Sequence, residues 1–390
     1  MTTSSAVPRG VNTDVTTTST DVATLRGSLE RWVRDRIGSP TAHVSALQMP
    51  SASGMSSISV LFTVDWDEHG TRHHADLVAR LAPESTALPV FPEYDLERQA
   101  AVMRAVAAHS AVPVPRVRWV EPASDVLGQP FVVMDRVEGV VPVDNPPYVF
   151  GGWLHEATSE QCEVLRRGSV EVLAAIHSIP DPGSLLPELG AGAADDALRR
   201  HVDNERTYYE WTHREDGVRI PLLEKGFDWL EEHWPSAPSE PVLCWGDSRI
   251  GNIMYRDFAP VAVLDWELAT LAPREVDVGW FVFFHRMFQD MAEQFDRPGL
   301  PHLLRREEVV ALYEETTGVE LRDLDFYLVY AAVRHGIIMS RIKRRSIHFG
   351  DSAAPSDPDE YVLHHHLLRR MIDGEPAFPI TQSRNGRRIE

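Results

Sequence analysis

Residues 242–267 read VLCWGDSRIGNIMYRDFAPVAVLDWE, and this stretch decides the fold of the chain. Short apolar runs bounded by polar and turn-forming residues predict three strands, at 242–244, 252–255 and 261–264. Oxygen-bearing side chains stand where these strands end, at Asp247, Asn252 and Asp265. The stretch therefore predicts a strand, a tight polar loop and a hairpin that present three polar side chains to one cleft.

The spacing of these side chains predicts a particular chemistry. Asp247 and Asn252 stand as D-x-x-x-x-N, the spacing of the base and the metal-binding asparagine in a kinase catalytic loop. Asp265 begins the loop after the third strand, where a kinase keeps its other magnesium ligand. Mg²⁺ prefers oxygen ligands and usually binds one or two carboxylates together with substrate phosphates. The alternative is a hairpin whose carboxylates only cap turns, and the spacing alone does not exclude it.

Taken with its flanks, W-G-D before and D-W-E after, the motif resembles the aminoglycoside phosphotransferase and choline kinase-like superfamily. The resemblance is greatest to a bacterial branch that carries the aminoglycoside phosphotransferase name and is also found fused to acyl-CoA dehydrogenases. The family pattern is H-G-D-x-x-x-x-N, and its histidine supports the loop by packing and hydrogen bonding. Trp245 replaces that histidine here, which leaves the chemistry possible but changes the loop's support. Asp277 matches a family aspartate that braces the catalytic loop.

The resemblance covers roughly residues 47–280 and implies an α+β, bilobal protein kinase-like fold. A small antiparallel-sheet N-lobe would be followed by a mostly helical C-lobe. We expect a disordered tail at 1–20, a nucleotide-binding N-lobe at 21–137, a catalytic and acceptor-binding C-lobe at 138–378 and a loose tail at 379–390. Helical periodicity at 21–37, 94–108 and repeatedly after residue 160 agrees with this division.

Nucleotide-binding residues are predicted in the N-lobe. The turn that contains Ser53, Gly54 and Ser56 could lay backbone N–H groups over phosphates, because serine and glycine permit close approach. A plain hairpin turn is the alternative. In the family, a strand cation faces the phosphates, and Arg80 of the strand L-V-A-R-L matches it; arginine binds phosphate in a forked manner. Gln99 stands where a kinase has the glutamate that pairs with this cation.

The run F-V-V-M-D-R-V-E-G at 131–139 resembles the family hinge between the lobes. The resemblance implies that an adenine would bond to backbone groups of Asp135 and Val137. Such contacts leave little trace in the side chains of a sequence. The hinge assignment therefore depends on the resemblance.

The resemblance implies Mg²⁺-dependent transfer of the γ-phosphoryl group of ATP or GTP to a hydroxyl group of a small molecule. Asp247 would orient that hydroxyl and take its proton, while Asn252 and Asp265 would hold Mg²⁺. Arg80 would steady the phosphates, and Arg249, beside the base, would meet developing negative charge.

Two other functions fit the sequence less well. The first is a catalytically impaired protein that binds a nucleotide or metabolite without turnover, which Trp245 and Gln99 favour. The second is a protein kinase, although no activation segment of the A-P-E type follows Asp265. Turnover of ATP with a small-molecule acceptor would distinguish the enzyme from both alternatives.

The acceptor stays open between aminoglycosides, hydroxylated acyl thioesters, sugars and amino alcohols. The formal net charge of −20 suits a cationic acceptor, or it serves solubility. The basic cluster at 334–345 offers an anion site for the acceptor, or a helix face paired with nearby carboxylates. The net charge favours a cationic acceptor and the basic cluster an anionic one, so together they do not select an acceptor.

Composition argues for a globular, cytoplasmic protein. A chain of 390 residues is long enough for two cores, and 43% hydrophobic with 25% charged residues is ordinary. The acidic balance argues against a nucleic-acid partner. Cys162 and Cys244 form no disulfide or metal motif and fit a reducing compartment. No run reaches the roughly 18 apolar residues of a membrane span, so we expect no membrane partner.

Overall fold

The computed structural model describes residues 22–49, 58–83, 88–190 and 194–378. Its helices are α1 Val22–Ile37, α2 Leu96–His109, α3 Ser159–His177, α4 Pro182–Leu185, α5 Ala194–Thr212, α6 Pro221–Glu232, α7 Glu275–Gln294, α8 Arg306–Thr317, α9 Leu324–His348 and α10 His365–Ile372. Its strands are β1 His43–Val44, β2 Ile58–Glu68, β3 Thr71–Leu81, β4 Val117–Glu121, β5 Phe131–Asp135, β6 Pro241–Cys244, β7 Ile253–Arg256, β8 Ala259–Val263 and β9 Thr270–Pro273.

The N-lobe is one antiparallel sheet of five strands in the order β1-β2-β3-β5-β4. Side chains alternate between the two faces of a strand. Leu77, Ala79 and Leu81 of β3 are buried in one core with α1. The alternate residues, Val78 and Arg80, therefore lie on the opposite face of the sheet. This alternation directs Arg80 towards the C-lobe.

The C-lobe is mostly helical and surrounds two small antiparallel sheets, β6 with β9 and β7 with β8. Its core continues into α2 and the last strands of the N-lobe. The β7–β8 hairpin turns at Asp257 and Phe258, which have φ values of 50° and 65°. Positive φ at both central residues is the geometry of the hairpin turn that best matches strand twist. The loop 245–252 lies between β6 and β7 and so faces the N-lobe.

The predicted bilobal α+β architecture is confirmed, with an antiparallel N-lobe sheet and a mostly helical C-lobe. Three expectations on the elements were incomplete. The hairpin strand β8 begins at Ala259 instead of 261, and the strand β5 ends at Asp135, inside the hinge-like run at 131–139. The strand β9 at Thr270–Pro273 was not predicted; it pairs with β6, and a pairing between strands so far apart leaves no local pattern in the sequence.

Some expectations fall on residues outside the described ranges. Ser53, Gly54 and Ser56 lie in the undescribed segment 50–57, and the predicted tails at 1–20 and 379–390 also lie outside those ranges. The lobe boundaries near 137 stay a prediction. Across the described part of the chain, none of the helices combines the length and apolar character that crossing a bilayer requires.

Candidate active site

The loop after β6 depends on Gly246 to place Asp247. Gly246 has φ +91°, a backbone conformation that side-chain-bearing residues rarely adopt. A Cβ atom there would lie 2.0 Å from the backbone oxygen of Leu268. The glycine therefore lets the loop that carries Asp247 pass close to the segment after Asp265.

Three N–H donors hold the Asp247 carboxylate in one orientation. The indole Nε1 of Trp280 donates to Oδ1 at 2.9 Å, and Nδ2 of Asn252 donates to Oδ2 at 2.6 Å. The Nε atom of Arg249 lies 3.1 and 3.2 Å from the two oxygens and bridges them. These four contacts use about the four acceptor positions that a carboxylate offers, so a substrate hydroxyl would have to replace one of them, and the two contacts with Arg249 are the longest.

Asn252 connects the base to the strand that carries Asp265. Its Nδ2 atom donates to the Asp247 carboxylate and, at 3.1 Å, to the Asp247 carbonyl. Because the amide nitrogen makes both bonds, the amide oxygen is the atom that could contact a cation. The Asn252 carbonyl accepts from the N–H of Leu264 at 2.9 Å, which places Asn252 beside the residue that precedes Asp265.

Asp265 lies two residues after β8, has φ +61° and forms an ion pair with Arg80 of the N-lobe. The two side chains are 20% and 14% exposed. Burial opposes the charge of Arg80, but Asp265 and Glu267, with a smaller effect of Asp247, outweigh it and raise its pKa. The strand cation thus stays charged and lies within electrostatic range of both predicted catalytic carboxylates.

Arg249 lies between two carboxylates, one of which the sequence did not reveal. Its guanidinium pairs with Asp144, from the loop after the hinge, and with Asp247. It also lies over the ring of Phe284, 5.1 Å from the ring centroid. Burial opposes its charge, but Asp144, Asp247 and Asp265 outweigh it and raise its pKa. In this arrangement Arg249 is a fixed cation beside the base.

Asp277 supports the loop through its backbone, as the resemblance implied. One carboxylate oxygen accepts from the N–H of Trp245 at 2.6 Å and the other from Gly246 at 2.9 Å. His177 also contacts this carboxylate, at 3.1 Å. The Asp277 carbonyl accepts from the hydroxyl of Ser248 at 2.8 Å. These bonds fix the loop on both sides of Gly246.

Trp245 supports the loop from a different direction. It is fully buried, and its Nε1 donates to the carbonyls of Leu264 and Asp265 at 2.8 and 3.1 Å. The indole thus ties the loop to the strand end that carries the predicted metal ligand. Trp245, which replaces the family histidine, therefore links the loop that carries Asp247 to the segment that carries Asp265.

A group of possible metal ligands, His177, Cys244 and Asp277, is buried beneath the loop. Asp277 uses both oxygens on backbone N–H groups, and His177 binds Asp277 and, at 2.7 Å, the hydroxyl of Tyr313. Burial raises the pKa of the Cys244 thiol well above its usual range, so it stays protonated. This group is therefore a hydrogen-bonded support for the loop.

The basic cluster at 334–345 contains side chains that are already paired. Arg334 binds Glu205 at 2.8 Å and the Gly246 carbonyl at 2.8 Å. Arg344 binds Asp216 at 2.8 Å. Of the two interpretations of this cluster, pairing with nearby carboxylates describes both of these arginines. Arg334 lies in α9, so its hydrogen bond to the Gly246 carbonyl also ties the loop to this helix.

The predicted hinge residues lie near a polar cavity of about 420 Å³. The cavity walls are Asp76, Arg136, Val137, Glu138 and Arg256. The N–H of Asp135 donates to the carbonyl of Arg116 at 3.0 Å, so an adenine contact at Asp135 is left to its carbonyl. Gln99 is buried in α2. The nucleotide-binding roles of Gln99, Asp135 and Val137 stay predictions.

Sequence comparisons identify similar proteins. The sequence profile of the phosphotransferase enzyme family (APH) matches residues 63–309. Acyl-CoA dehydrogenase family member 10 of Mus musculus is 28% identical over 70% of this chain, and family member 11 of Gallus gallus is 26% identical over 85%. The chain spans only 24% and 41% of the length of these two relatives.

Structure comparisons support the same fold. A provisionally named aminoglycoside phosphotransferase of Ralstonia eutropha is 22% identical, with a TM-score of 0.63 over 89% of this chain and 96% of that one. The aminoglycoside phosphotransferase APH(4)-Ia, in complex with AMP-PNP and hygromycin B, is 17% identical, with a TM-score of 0.53 over 89% and 98%. At these identities, the similarity shows a shared fold.

Proposed function

The chain belongs to the phosphotransferase enzyme family, and from this premise we propose that it transfers the γ-phosphoryl group of ATP or GTP to a hydroxyl group of a small molecule with the help of Mg²⁺. The observation that carries the proposal is the contact between Asp247 and Asn252 in a cleft that Arg80 closes against Asp265. These two contacts support a site that combines a base, two oxygen ligands for a cation and an arginine from the opposite lobe.

Asp247 is the proposed base. In the proposed reaction, the acceptor hydroxyl gives its proton to the Asp247 carboxylate while its oxygen bonds to the γ-phosphorus. The bond from that phosphorus to the β–γ bridging oxygen breaks, and the nucleoside diphosphate leaves. A positioned base of this kind contributes on the order of 10²–10⁴ to the rate. The three donors around Asp247 fix its orientation before substrate arrives.

The donor set fits Mg²⁺. The Asn252 amide oxygen and the Asp265 carboxylate are hard oxygen ligands of the kind Mg²⁺ binds together with phosphates. When bound, Mg²⁺ neutralises charge on the transferring phosphoryl group. Arg80 is paired with Asp265 in this structure. We expect its guanidinium to exchange that carboxylate for nucleotide phosphates, which arginine binds in a forked manner.

We propose a small molecule with a hydroxyl group as the acceptor. The contacts in the site do not select one chemical class of acceptor. The solved relative APH(4)-Ia binds hygromycin B, and the curated relatives are named as acyl-CoA dehydrogenases. Aminoglycosides and hydroxylated acyl thioesters are therefore the first two sets of acceptors to test. Sugars and amino alcohols form the third set.

Consumption of ATP measured with these three acceptor sets tests the proposal. The parent protein should consume ATP with at least one acceptor, and phosphate should appear on the acceptor by mass spectrometry. Asp247→Asn should lower the rate by about 10²-fold or more while binding of the nucleotide is kept. Equal rates for the parent and Asp247→Asn would contradict the proposed role of the base. ATP binding without turnover in every set would favour a binding protein.

A further inference from the structure

Three residues on one face of α7 contact successive parts of the loop at 245–249. Asp277 binds the backbone of the loop at 245 and 246, Trp280 binds the Asp247 side chain, and Phe284 lies under Arg249. Residues at i, i+3 and i+7 share one side of a helix. The loop therefore lies along α7 in a fixed register, and each successive turn of the helix holds a different part of it.

Trp280 is built into this face as a rigid donor. Its side chain is buried, the guanidinium of Arg334 lies 4.6 Å from its ring centroid, and the ring of Phe284 lies 5.3 Å away. An indole has one N–H donor and no acceptor. That donor points at Asp247 Oδ1. Packing around the ring thus fixes the direction of a single hydrogen bond.

We infer that Trp280 is a positioning residue for the base Asp247, an inference that rests on the proposed function. Trp280 holds Oδ1 and Asn252 holds Oδ2 at 2.9 and 2.6 Å, so these two donors, with the longer contacts of Arg249, set the plane of the carboxylate. A hydroxyl that donates to a carboxylate needs an acceptor lone pair in a defined direction. Without the indole N–H, the carboxylate can rotate away from that direction, and the productive orientation is populated less.

A pair of matched substitutions tests this role. Trp280→Phe keeps an aromatic ring and removes the N–H donor. Trp32→Phe is the control, because Trp32 is also buried and its Nε1 also donates to a carboxylate, Glu121, at 2.8 Å, but it lies in α1 of the N-lobe. We expect kcat to fall about tenfold or more in Trp280→Phe, with KM and Kd for Mg²⁺-ATP within about twofold of the parent. Trp32→Phe should keep the parent kcat.

A kcat in Trp280→Phe within about twofold of the parent, measured on protein of equal melting temperature to Trp32→Phe, would overturn the inference. An equal loss of kcat in the two variants would overturn it as well, since the loss would then follow from removing any buried indole donor. A fall in kcat with an equal loss of nucleotide affinity would also contradict it, because a positioning residue for the base leaves nucleotide binding intact.

If Trp280→Phe does not fold, the contact between Trp280 and Asp247 can still be tested by NMR on protein that keeps Trp280. The indole N–H signals are recorded by ¹⁵N NMR, and the Trp280 signal is identified by elimination, from single substitutions of the other nine tryptophans. Asp247→Asn should shift the Trp280 signal and leave that of Trp32 unchanged. An unshifted Trp280 signal would overturn the inference. This result is readable even if the parent turns over no acceptor, an outcome that would contradict the proposed function and not the contact.

Discussion

The two sides of the cleft are held in different ways. The catalytic loop is fixed from within its own lobe, by Asp277 and Trp280 of α7 and by Arg334 of α9. Arg80, which we propose faces the nucleotide phosphates, lies on β3 of the N-lobe and forms an ion pair with Asp265 of the other lobe. One side is thus preformed, while the other depends on a contact between the lobes, which we propose changes when nucleotide binds.

This difference separates the expected effects of substitutions. A change beneath the loop disturbs the orientation of Asp247, and its effect appears in kcat or in folding. A change at Arg80 disturbs the exchange between Asp265 and the phosphates, and its effect appears in nucleotide affinity. Both sides meet at Asp265, whose carbonyl is bound by Trp245 and whose carboxylate is bound by Arg80.

Gly246→Ala should break the preformed side most severely. The alanine would have to adopt a positive φ, and its Cβ would lie 2.0 Å from the backbone oxygen of Leu268. We therefore expect the unfolding free energy to fall by more than about 3 kcal/mol and turnover to be lost. Gly128→Ala is the control, because Gly128 also has a positive φ, +81°, but an added Cβ would meet no atom of the described residues within 4 Å beyond its chain neighbours. Urea denaturation of both variants measures the difference. Equal losses would show that the close approach of the loop is absent.

Arg80→Gln should weaken the exchangeable side. We expect Kd for Mg²⁺-ATP to rise about tenfold or more, because a charge-assisted hydrogen bond contributes about 1.5–3 kcal/mol. The loss in kcat at saturating nucleotide should be smaller than that of Asp247→Asn. Arg72→Gln, on the same strand but exposed, is the control. Calorimetric titration of both variants checks this prediction, and unchanged affinity in Arg80→Gln would contradict the proposed role of Arg80.

Acid should destabilise the lobe that carries the loop. Burial lowers the pKa of His201 to about 3 and that of His285 and His364 to about 4, against an ordinary 6.5. Since the unfolded chain takes up these protons first, the stabilisation present above pH 6.5 is lost as the pH falls towards 4. His74 of the N-lobe has the opposite sign, because its hydrogen bond to Asp65 raises its pKa.

His285→Gln measures this contribution. Between about pH 7 and pH 5 the parent should lose roughly 2 kcal/mol more unfolding free energy than the variant does, because the variant has no imidazole to protonate at this position. Urea denaturation at the two pH values gives the four free energies. The same pH dependence in parent and variant would contradict the assignment of a depressed pKa to His285.

The loop at 245–252 was predictable because its polar residues and the apolar runs beside it lie within one short stretch. The apolar runs predict the strands of this stretch, and the spacing of Asp247, Asn252 and Asp265 predicts that their side chains lie together. The alternation of β3 likewise predicts the direction of Arg80. These features depend on local periods and on motif spacing, which a single sequence displays.

The contacts that hold the site were not predictable in the same way. Asp144 binds Arg249 from 105 positions away, and Trp280 binds Asp247 from 33 positions away. Each of these pairs arises from the packing of whole elements, so neither has a local pattern. Arg334 shows the same limit, since the sequence left both an anion site and pairing with nearby carboxylates open for its cluster, and the fold pairs it with Glu205.

The central claim is that Asn252 and Asp265 hold a divalent cation with the nucleotide in the cleft that Asp247 faces. Calorimetric titration of ATP into the parent, Asp265→Asn and Asp247→Asn, each with and without Mg²⁺, tests it most directly. We predict that Mg²⁺ strengthens ATP binding by about tenfold or more in the parent and in Asp247→Asn, and that Asp265→Asn loses this gain. Equal ATP affinity in the parent with and without Mg²⁺ would contradict the claim.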